Sequence, residues 1–373
     1  MENIQYILYI CLGLYSTIIL ILRNSLFNND EKIINNKTIS VIVAVKNGEN
    51  SINRLLSQLH KQIDNNIIEF LIVDDNSDDD TKRIISKYSD LDSRFVLLSS
   101  NEGKKNLNHK KRALDAGIRK AKGEILLFTD ADCQVPNNWS KLISSKYFKD
   151  IHYVVGYSEV PSSNNIITLF QKIDLFMLMN TAHSTINKNW YWASSGQNQS
   201  YLKNIFNKNK GFQEISNCLQ GDDTLFFQTC RKNIKDFKAT FAFDPLNKIY
   251  CRQEKTLYSF IIQRIRWAGD ALKTWKFNRY FFGMSVITFF TNLIIILNYF
   301  LIIFNYITIF QFAVPILIKF VIEYSFALRG MKTHNDNYSI LQFTYWFIFQ
   351  PLYVIIIGIG SFFQNQISWR GSK

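Results

Sequence analysis

Two blocks of apolar residues, one near each end of the chain, restrict its fold more than any other sequence feature. Residues 4–22 (IQYILYICLGLYSTIILIL) form an uncharged run of 19 residues. As a helix, such a run spans the roughly 30 Å hydrocarbon core of a lipid bilayer. The start MENIQ is acidic and the run is followed by LRNSLFNND, so an uncleaved membrane anchor at residues 1–24 is favoured over a signal peptide.

The second apolar block predicts a C-terminal membrane region at residues 281–363 with about three helices. Its candidate spans are residues 281–304, 306–328 and 341–363. If all four segments cross the membrane, the tail at residues 367–373 lies outside. A last segment that is re-entrant, interrupted at Gln350 and Pro351, would instead return the tail to the cytoplasm.

The charge and cysteine content place the intervening segment in the cytosol. The formal net charge is +13, and lysine and arginine crowd residues 23–280, as is typical of the cytoplasmic side of a membrane protein next to anionic lipid. Nucleic acid, another partner of basic proteins, is disfavoured because apolar segments anchor the chain at both ends. The five cysteines show no CxxC spacing, so they indicate neither a zinc site nor a disulfide scaffold.

Short β-rich runs alternate with helical ones from Thr38 onward, which predicts an α/β fold. The predicted strands are TISVIVAV, IIEFLIVD, RFVLLSS and EILLFTD, with helices near residues 51–60, 79–88 and 108–121. This alternation is typical of parallel βαβ units in an open, doubly wound, Rossmann-like sheet. Further strands are expected in IHYVVGYSEV and NWYWASSG, and an amphipathic helix at residues 256–278 is expected to lie at the lipid interface.

Pairs of carboxylates follow three of the apolar runs: Asp74 and Asp75, Asp130 and Asp132, and Asp222 and Asp223. The middle pair is the most informative. Asp130 and Asp132 come directly after a buried strand and repel each other unless a cation lies between them. Hard divalent cations such as Mg²⁺ or Mn²⁺ prefer these oxygen ligands, usually with phosphate oxygens completing the coordination shell. The pair therefore predicts a metal that holds a diphosphate.

Isolated polar residues elsewhere are expected to have structural roles. Lys319 and Glu323 lie four residues apart within a predicted span, where they share a helix face and are expected to pair. His109, His152 and His183 are isolated in the sequence and are interpreted as structural.

Several motifs follow one another along residues 38–270. SVIVAVKNGENSI, LIVDDNSDDDT and the long stretch NHKKRALDAGIRKAKGEILLFTDAD occur in this order. They resemble the motifs of membrane-bound family 2 glycosyltransferases with the GT-A fold, relatives of the cellulose, chitin and hyaluronan synthases. The resemblance implies that Asp75 binds the base or ribose of the donor and that Asp130 and Asp132 form the metal-binding DxD motif. His109 stands where the family has a glycine. The donor-binding residues that the resemblance implies are Ala44, Lys46, Asn47, Glu49, Asp75, Lys110 and Asp130.

Three more motifs extend the resemblance downstream. SSGQNQSYLKNIFNKNKGF resembles the family's G-x-N-x-x-Y stretch ahead of a Gly-Phe pair, with Gly196, Asn198, Tyr201, Gly211 and Phe212 in place. GDD stands where the family has an acid followed by its catalytic aspartate, which puts the general base at Asp223 and Asp222 beside it. Gln263, Arg266 and Trp267 match QxxRW, which in the family lies at the cytoplasmic membrane surface near the acceptor and the diphosphate.

The resemblance implies an inverting transfer from a nucleotide diphosphate sugar, with a UDP-sugar favoured. Asp223 would be the general base, Arg266 would add positive charge near the diphosphate, and the cofactor would be Mg²⁺ or Mn²⁺. The expected acceptor is a lipid or lipid-linked glycan at the cytoplasmic face of a bacterial inner membrane. The expected domains are an anchor at 1–24, a cytoplasmic GT-A domain at 38–255, an interfacial helix with QxxRW at 256–278 and a membrane region at 281–363.

Two alternatives remain. QxxRW favours a processive polysaccharide synthase, although such enzymes thread their product through a bundle of membrane helices and this chain offers only about four. A catalytically silent membrane partner that binds a nucleotide or a glycan is the second alternative. The intact set of Asp75, Asp130, Asp132, Asp223 and Arg266 disfavours it.

Overall fold

The computed structural model describes residues 2–366 apart from residues 29, 30, 32, 35, 149 and 164. The sequence leaves open on which side of the membrane the tail at residues 367–373 lies. These residues are outside the described part of the chain. Contacts divide the chain into two compact units. An α/β unit comprises residues 28–161 and 189–253, and a helical unit comprises residues 2–27, 162–188 and 254–366. The segment 162–188, which sequence analysis included in the 38–255 domain, groups with the helical unit.

The described residues form nine strands and twelve α-helices. The strands are β1 Ile39–Val45, β2 Ile67–Asp74, β3 Phe95–Ser99, β4 Ile125–Phe128, β5 Tyr153–Gly156, β6 Ser158–Glu159, β7 Gln199–Leu202, β8 Ala239–Ala242 and β9 Ile249–Tyr250. The α-helices are α1 Glu2–Asn24, α2 Ile52–His60, α3 Thr81–Leu91, α4 His109–Lys120, α5 Trp139–Ser144, α6 Ile166–Asn187, α7 Lys203–Lys208, α8 Thr224–Asn233, α9 Leu257–Ala271, α10 Arg279–Ile303, α11 Ile309–His334 and α12 Ile340–Gly360.

A seven-stranded sheet forms the centre of the α/β unit, in the order β3-β2-β1-β4-β7-β5-β8. β7 runs antiparallel to both of its neighbours, and the other pairings are parallel. The predicted strands β1 to β4 and the helices between them are confirmed. α4 packs closely on the sheet at Gly117, where an added Cβ would lie 2.7 Å from Ile42 Cγ2. Because β1, β2 and β4 are parallel, their carboxyl ends meet at one edge, where α/β enzymes bind ligands.

The predicted strand in NWYWASSG is wrong. Residues 189–196 are irregular, and β7 begins only at Gln199. The buried side chain of Gln228 donates hydrogen bonds to the main-chain carbonyls of Tyr191 and Trp192, the latter at 2.6 Å. Those carbonyls are therefore satisfied by a side chain instead of a neighbouring strand.

The helical unit contains four helices that are long and apolar enough to cross a membrane. These candidate spans are Gln5–Asn24, Arg279–Ile303, Ile309–His334 and Ile340–Gln364. α12 continues as one helix through Gln350 and Pro351. This contradicts the idea of a re-entrant last segment, because such a segment needs a break in the helix at that point.

A polar network is buried within the helical unit. Lys319 Nζ lies 2.8 Å from Glu323 Oε1, so the predicted pair is confirmed. The same ammonium donates to Gln350 Oε1 at 2.9 Å, and Tyr15 OH donates to Glu323 Oε1 at 2.5 Å. Both charged side chains are essentially inaccessible to solvent. Each charge is therefore balanced by its partner, which a low-dielectric interior requires.

Candidate active site

Lys110 connects two acidic motifs that are far apart in the sequence. Its Nζ atom lies 2.8 Å from Asp130 Oδ1, just after β4, and 3.0 Å from Asp222 Oδ2, just before α8. Burial lowers the pKa of Lys110, but the charges of Asp130 and Asp222 oppose that effect and hold it well above its ordinary value. The ammonium therefore stays charged and holds the two acidic segments together.

Asp223 lies next to this pair and caps the first turn of α8. Its carboxylate accepts hydrogen bonds from the main-chain N–H groups of Gly196, at 3.1 Å, and Thr224, at 2.5 Å. Burial and the neighbouring charge of Asp222 raise the pKa of Asp223 to about 6, against the lowering effects of Lys110 and of the two hydrogen bonds. Asp223 is thus ionised at neutral pH yet a stronger base than an ordinary aspartate.

Gly196 allows the backbone to approach this cluster closely. A Cβ atom at that position would lie 3.0 Å from Lys110 Nζ, 3.3 Å from Asp222 Oδ2 and 3.5 Å from Asp223 Oδ2. The loop is anchored to the start of α8 because Ser194 N–H donates to Thr224 Oγ1 at 3.2 Å and Thr224 Oγ1 donates to the Ser194 carbonyl at 2.8 Å. Any larger residue at position 196 would crowd the charged groups.

Lys111 makes structural contacts beside the site that sequence reasoning missed. Its side chain is buried, and Nζ donates to the carbonyls of Ile215 at 2.9 Å, of Gln220 at 3.0 Å, and of Cys218. The ammonium therefore shapes the loop that leads into Asp222. The dipeptide KK at the start of a helix was the only signal, and it does not reveal which lysine faces the acids and which faces the loop.

The predicted donor-binding loops after β1 and β2 are bound to each other. Asn47 has φ of 49°, and its Oδ1 accepts from Asp78 N–H at 3.0 Å. Glu49 Oε2 accepts from Asp80 N–H at 3.2 Å, and Asp75 N–H donates to the Val45 carbonyl at 2.8 Å. Asn47 and Glu49 thus hold the two loops together.

The other predicted donor-loop residues lie at the same edge of the sheet. Ala44 is near the end of β1, Lys46 follows that strand, and Asp75 follows β2 and is buried. The geometry therefore brings the predicted donor residues of both loops to the edge where Asp130 follows β4.

Several residues of the downstream motif have architectural roles. Asn198 is buried, accepts from Trp139 Nε1 at 2.9 Å and donates to the Tyr157 carbonyl at 2.8 Å. Tyr201 is buried in β7, and its ring stacks on Phe128 of β4 with centroids 4.7 Å apart. These residues fix the antiparallel strand beside β4 and thereby position the loop that contains Gly196.

His109 keeps a glycine-like backbone conformation at the start of α4. Its φ of 50° lies in the left-handed region that glycine adopts most easily. The backbone that leads into Lys110 thus has a conformation that a glycine could also adopt at this position. His152, the second isolated histidine of this unit, accepts from Lys238 N–H at 3.0 Å, in keeping with a structural role.

Asp130 and Asp132 offer donors that suit a divalent metal bound together with phosphate. The turn between them is held by Cys133 N–H, which donates to the Asp130 carbonyl at 3.1 Å, and by Arg54, which donates to the Asp132 carbonyl at 3.2 Å. Within the part of the chain that is described, no group of three or more Cys, His, Asp or Glu side chains is arranged to hold a metal. Mg²⁺ is commonly bound by one or two carboxylates plus substrate phosphates, so this donor set fits.

The residues that match QxxRW lie on α9 in the helical unit. Gln263 Nε2 donates to Glu254 Oε1 at 3.2 Å, and Arg264 Nη1 donates to Gln263 Oε1 at 3.0 Å. The guanidinium of Arg264 lies 4.1 Å from the ring centroid of Trp267 and donates through Nε to Asp174 Oδ2 at 2.8 Å. Arg264, between the motif residues, is thus the buried residue that orders them, while Arg266 is partly exposed on the same helix.

Comparisons with known proteins agree with this geometry. Residues 40–215 match the model of Glycosyl transferase family 2. The chain is 23% identical over 247 residues to glycosyltransferase AglE of Haloferax volcanii. The aligned segment is 65% of this chain and 75% of that protein. It is 29% identical over 133 residues to the UDP-Glc:alpha-D-GlcNAc-diphosphoundecaprenol beta-1,3-glucosyltransferase WfgD of Escherichia coli. This aligned segment is 35% of this chain and 50% of that protein.

A solved structure with a similar fold is the mannosyltransferase PcManGT from Pyrobaculum calidifontis in complex with GDP-Man and Mn²⁺. Its TM-score is 0.63 at 14% identity, over 98% of this chain and 99% of that chain. The aligned segments span from 19% to 75% of the lengths of the curated relatives. The predicted GT-A fold is confirmed, and so is the predicted enzyme class for the matched segment. Residues 40–215 therefore match glycosyltransferase family 2, and the chain has the GT-A fold.

Proposed function

We propose that this protein transfers a sugar, with inversion at the anomeric carbon, from a nucleoside diphosphate sugar to a lipid or lipid-linked acceptor. The reaction takes place at the cytoplasmic face of a bacterial inner membrane. The observation that carries the proposal is the cluster of Lys110, Asp130, Asp222 and Asp223 at the carboxyl end of β4, with Lys110 Nζ within 3.0 Å of two carboxylates. In this cluster Asp223 is a base of raised pKa, and Lys110 supplies a fixed positive charge. Both lie near the carboxylates proposed to bind a metal together with the donor diphosphate.

Asp223 is the general base of the proposed reaction. It takes the proton of the acceptor hydroxyl while that oxygen attacks the anomeric carbon from the face opposite the diphosphate. The bond from that carbon to the diphosphate breaks, and its electron pair leaves with the nucleoside diphosphate. A pKa of about 6 suits this role, because the carboxylate is both ionised at neutral pH and basic enough to bind the proton.

Positive charge around the leaving group is the second requirement of the proposal. Lys110 supplies an ammonium next to Asp130. The guanidinium of Arg266 is assigned to pair with the departing diphosphate. Mg²⁺ or Mn²⁺ held by Asp130 and Asp132 would supply Lewis-acid stabilisation of the negative charge there. Gln263, Trp267 and Asp222 are assigned to the acceptor and diphosphate region. Asp75 and the loop containing Ala44, Lys46, Asn47 and Glu49 are assigned to the nucleoside.

Two findings support a lipid-linked acceptor. Among the described residues, four helices are long and apolar enough to cross a membrane. The name of the Escherichia coli relative specifies an acceptor on diphosphoundecaprenol and UDP-Glc as donor. The Pyrobaculum calidifontis mannosyltransferase of similar fold was solved with GDP-Man and Mn²⁺, so the donor test must include guanosine as well as uridine nucleotides. We propose a UDP-sugar as the donor.

The test is release of nucleoside diphosphate by the purified full-length protein in native lipid. A panel of UDP- and GDP-sugars is supplied with lipid extract, with Mg²⁺ or Mn²⁺ against chelator. The proposal predicts metal-dependent release for one donor and loss of release in Asp223→Asn. No release from any donor would overturn the proposal and favour a non-catalytic partner protein. Equal release by the Asp223→Asn variant would overturn the assignment of Asp223 as the base.

A processive polysaccharide synthase is the second candidate, favoured by the match of Gln263, Arg266 and Trp267 to QxxRW. The same assay with a radiolabelled donor separates the two, because chain length is visible in the product. One added sugar per acceptor supports the proposed transferase. A ladder of products that lengthens with time would support a synthase instead.

A further inference from the structure

Two cysteines that are distant in the sequence face each other next to the DxD turn. Gln134 and Tyr250 form an isolated antiparallel bridge. Gln134 N–H donates to the Tyr250 carbonyl at 2.8 Å, and Tyr250 N–H donates to the Gln134 carbonyl at 3.1 Å. In an antiparallel arrangement the residue before one partner lies opposite the residue after the other. Cys133 and Cys251 are therefore directly opposed.

The geometry at this position suits a disulfide bond. Because Gln134 and Tyr250 exchange both hydrogen bonds, the adjacent cysteine pair occupies a non-hydrogen-bonded position. There the two Cα atoms of antiparallel strands are typically about 4.5 Å apart. Disulfides need Cα atoms roughly 4.4 to 6.8 Å apart and side chains that point toward each other. Residues opposed across antiparallel strands lie on the same face, so the second condition is also met.

The opposed position of the pair, and not its burial, distinguishes it from the other cysteines, since Cys230 is also buried in the α/β unit. Cys133 and Cys251 are both buried and both belong to the α/β unit. Cys11 lies on α1, Cys218 in the loop held by Lys111, and Cys230 on α8. The sequence alone gave no reason to join any two of the five, since their spacing matches no familiar pattern.

We infer that Cys133 and Cys251 are an oxidation site at which a small oxidant forms a reversible intramolecular disulfide. The two thiols lose two protons and two electrons, and the S–S bond forms. With hydrogen peroxide as oxidant, the electrons and protons reduce it to two water molecules. With a small-molecule disulfide, they yield two free thiols by exchange. A dithiol reductant reverses the reaction.

The disulfide would alter the candidate active site through two connections. Cys251 Sγ donates a hydrogen bond to Gln197 Oε1 at 2.8 Å, and this donor is lost on oxidation. Gln197 adjoins Gly196, whose N–H group donates to Asp223. Cys133 directly follows Asp132, so the bond also ties the DxD turn covalently to Cys251. We therefore expect oxidation to lower transfer at least three-fold, a consequence that rests on the proposed function.

The test maps disulfides in the full-length protein in lipid. The protein is treated with hydrogen peroxide or reduced with dithiothreitol, free thiols are alkylated, and unreduced peptides are analysed by mass spectrometry. We expect one linked peptide pair that contains Cys133 and Cys251 and that dithiothreitol separates. Alkylation of both residues after oxidant treatment, under conditions that oxidise the denatured chain, would overturn the inference. So would preferential linkage of either residue to Cys218 or Cys230.

Matched variants separate the site from its effect on activity. Cys251→Ser keeps a hydroxyl donor near Gln197 but cannot form the bond, and Cys230→Ser removes a buried thiol outside the pair. Each variant is compared with its own reduced form. Peroxide should lower transfer reversibly in the wild type and in Cys230→Ser, but not in Cys251→Ser. If the disulfide forms and transfer is unchanged, the effect on activity is refuted. The mapping needs no transferase activity, so its outcome is independent of the proposed function.

Discussion

Replacement of Asp222 by asparagine is expected to move the acidic limb of the pH profile to lower pH. Burial and the charge of Asp222 together raise the pKa of Asp223 from 3.8 to about 6. In the proposed mechanism Asp223 acts as a base, so kcat/KM rises with pH as this carboxyl loses its proton, with a midpoint near pH 6. Removing the neighbouring negative charge makes ionisation easier and therefore shifts that midpoint downward.

The size of the shift follows from the geometry. The Asp222 and Asp223 Oδ2 atoms both lie within 3.5 Å of the Cβ position built on Gly196, so they are no more than about 7 Å apart. At an effective dielectric constant of about 20, two unit charges at that distance repel by about 2.4 kcal/mol, which corresponds to about 1.7 pKa units. Solvent reaches part of the cluster and reduces this value. We expect a shift of about one unit, to a midpoint near pH 5.

The assay is the initial rate of nucleoside diphosphate release at low donor concentration, measured from about pH 4.5 to 8.5. Lys110 keeps its ion pair with Asp130 in the variant, so the local charge becomes more positive and acts in the same direction. Asp150→Asn is the matched control, because it removes one charge from an exposed carboxylate that pairs with Lys238 at 3.2 Å. A limb that stays near pH 6 in Asp222→Asn, or moves upward, would refute the assigned cause of the raised pKa.

Three further substitutions test the buried charges. Asp223→Asn should abolish transfer yet raise stability above pH 6 by up to about 3 kcal/mol, because the raised pKa means that ionisation destabilises the folded state. Lys111→Met should lower stability by about 2 to 4 kcal/mol and abolish transfer, because three carbonyls lose their buried donor. Lys319→Met should destabilise the protein by about 3 to 5 kcal/mol, because it leaves the Glu323 carboxylate buried without its partner.

Thermal unfolding in detergent or lipid measures all three effects, and each has its own control. The gain in Asp223→Asn should vanish below about pH 3, where the wild-type carboxyl is protonated in both states, and a gain independent of pH would contradict the linkage. Lys120→Met, on an exposed lysine paired with Glu102, should change stability little. The double variant Lys319→Met and Glu323→Met should recover much of the loss of the single one, and an equal or larger loss would contradict the role assigned to the unpaired charge.

The sequence predicted much of the candidate site because its signals are local. The run before Asp130 reads as a buried strand, and parallel strands bring their carboxyl ends to one edge, so the position of the DxD turn followed from periodicity and topology. The predicted pair of Lys319 and Glu323 depended only on helical spacing. The predicted strand in NWYWASSG is wrong for the opposite reason, since its carbonyls are bound by the side chain of Gln228, 36 and 37 residues later.

Taken by itself, the sequence determined the α/β class, the four apolar segments long enough to span a membrane and the order of the acidic motifs. Periodicity, length and chain order are sufficient for such features. Only the tertiary structure decided that Lys110 bridges Asp130 and Asp222, that Lys111 holds the adjoining loop and that Cys133 opposes Cys251. Apart from the contact of Lys110 with Asp130, those pairings join residues roughly a hundred positions apart. They depend on strand register and loop closure, and side-chain type alone does not specify which partner each group meets.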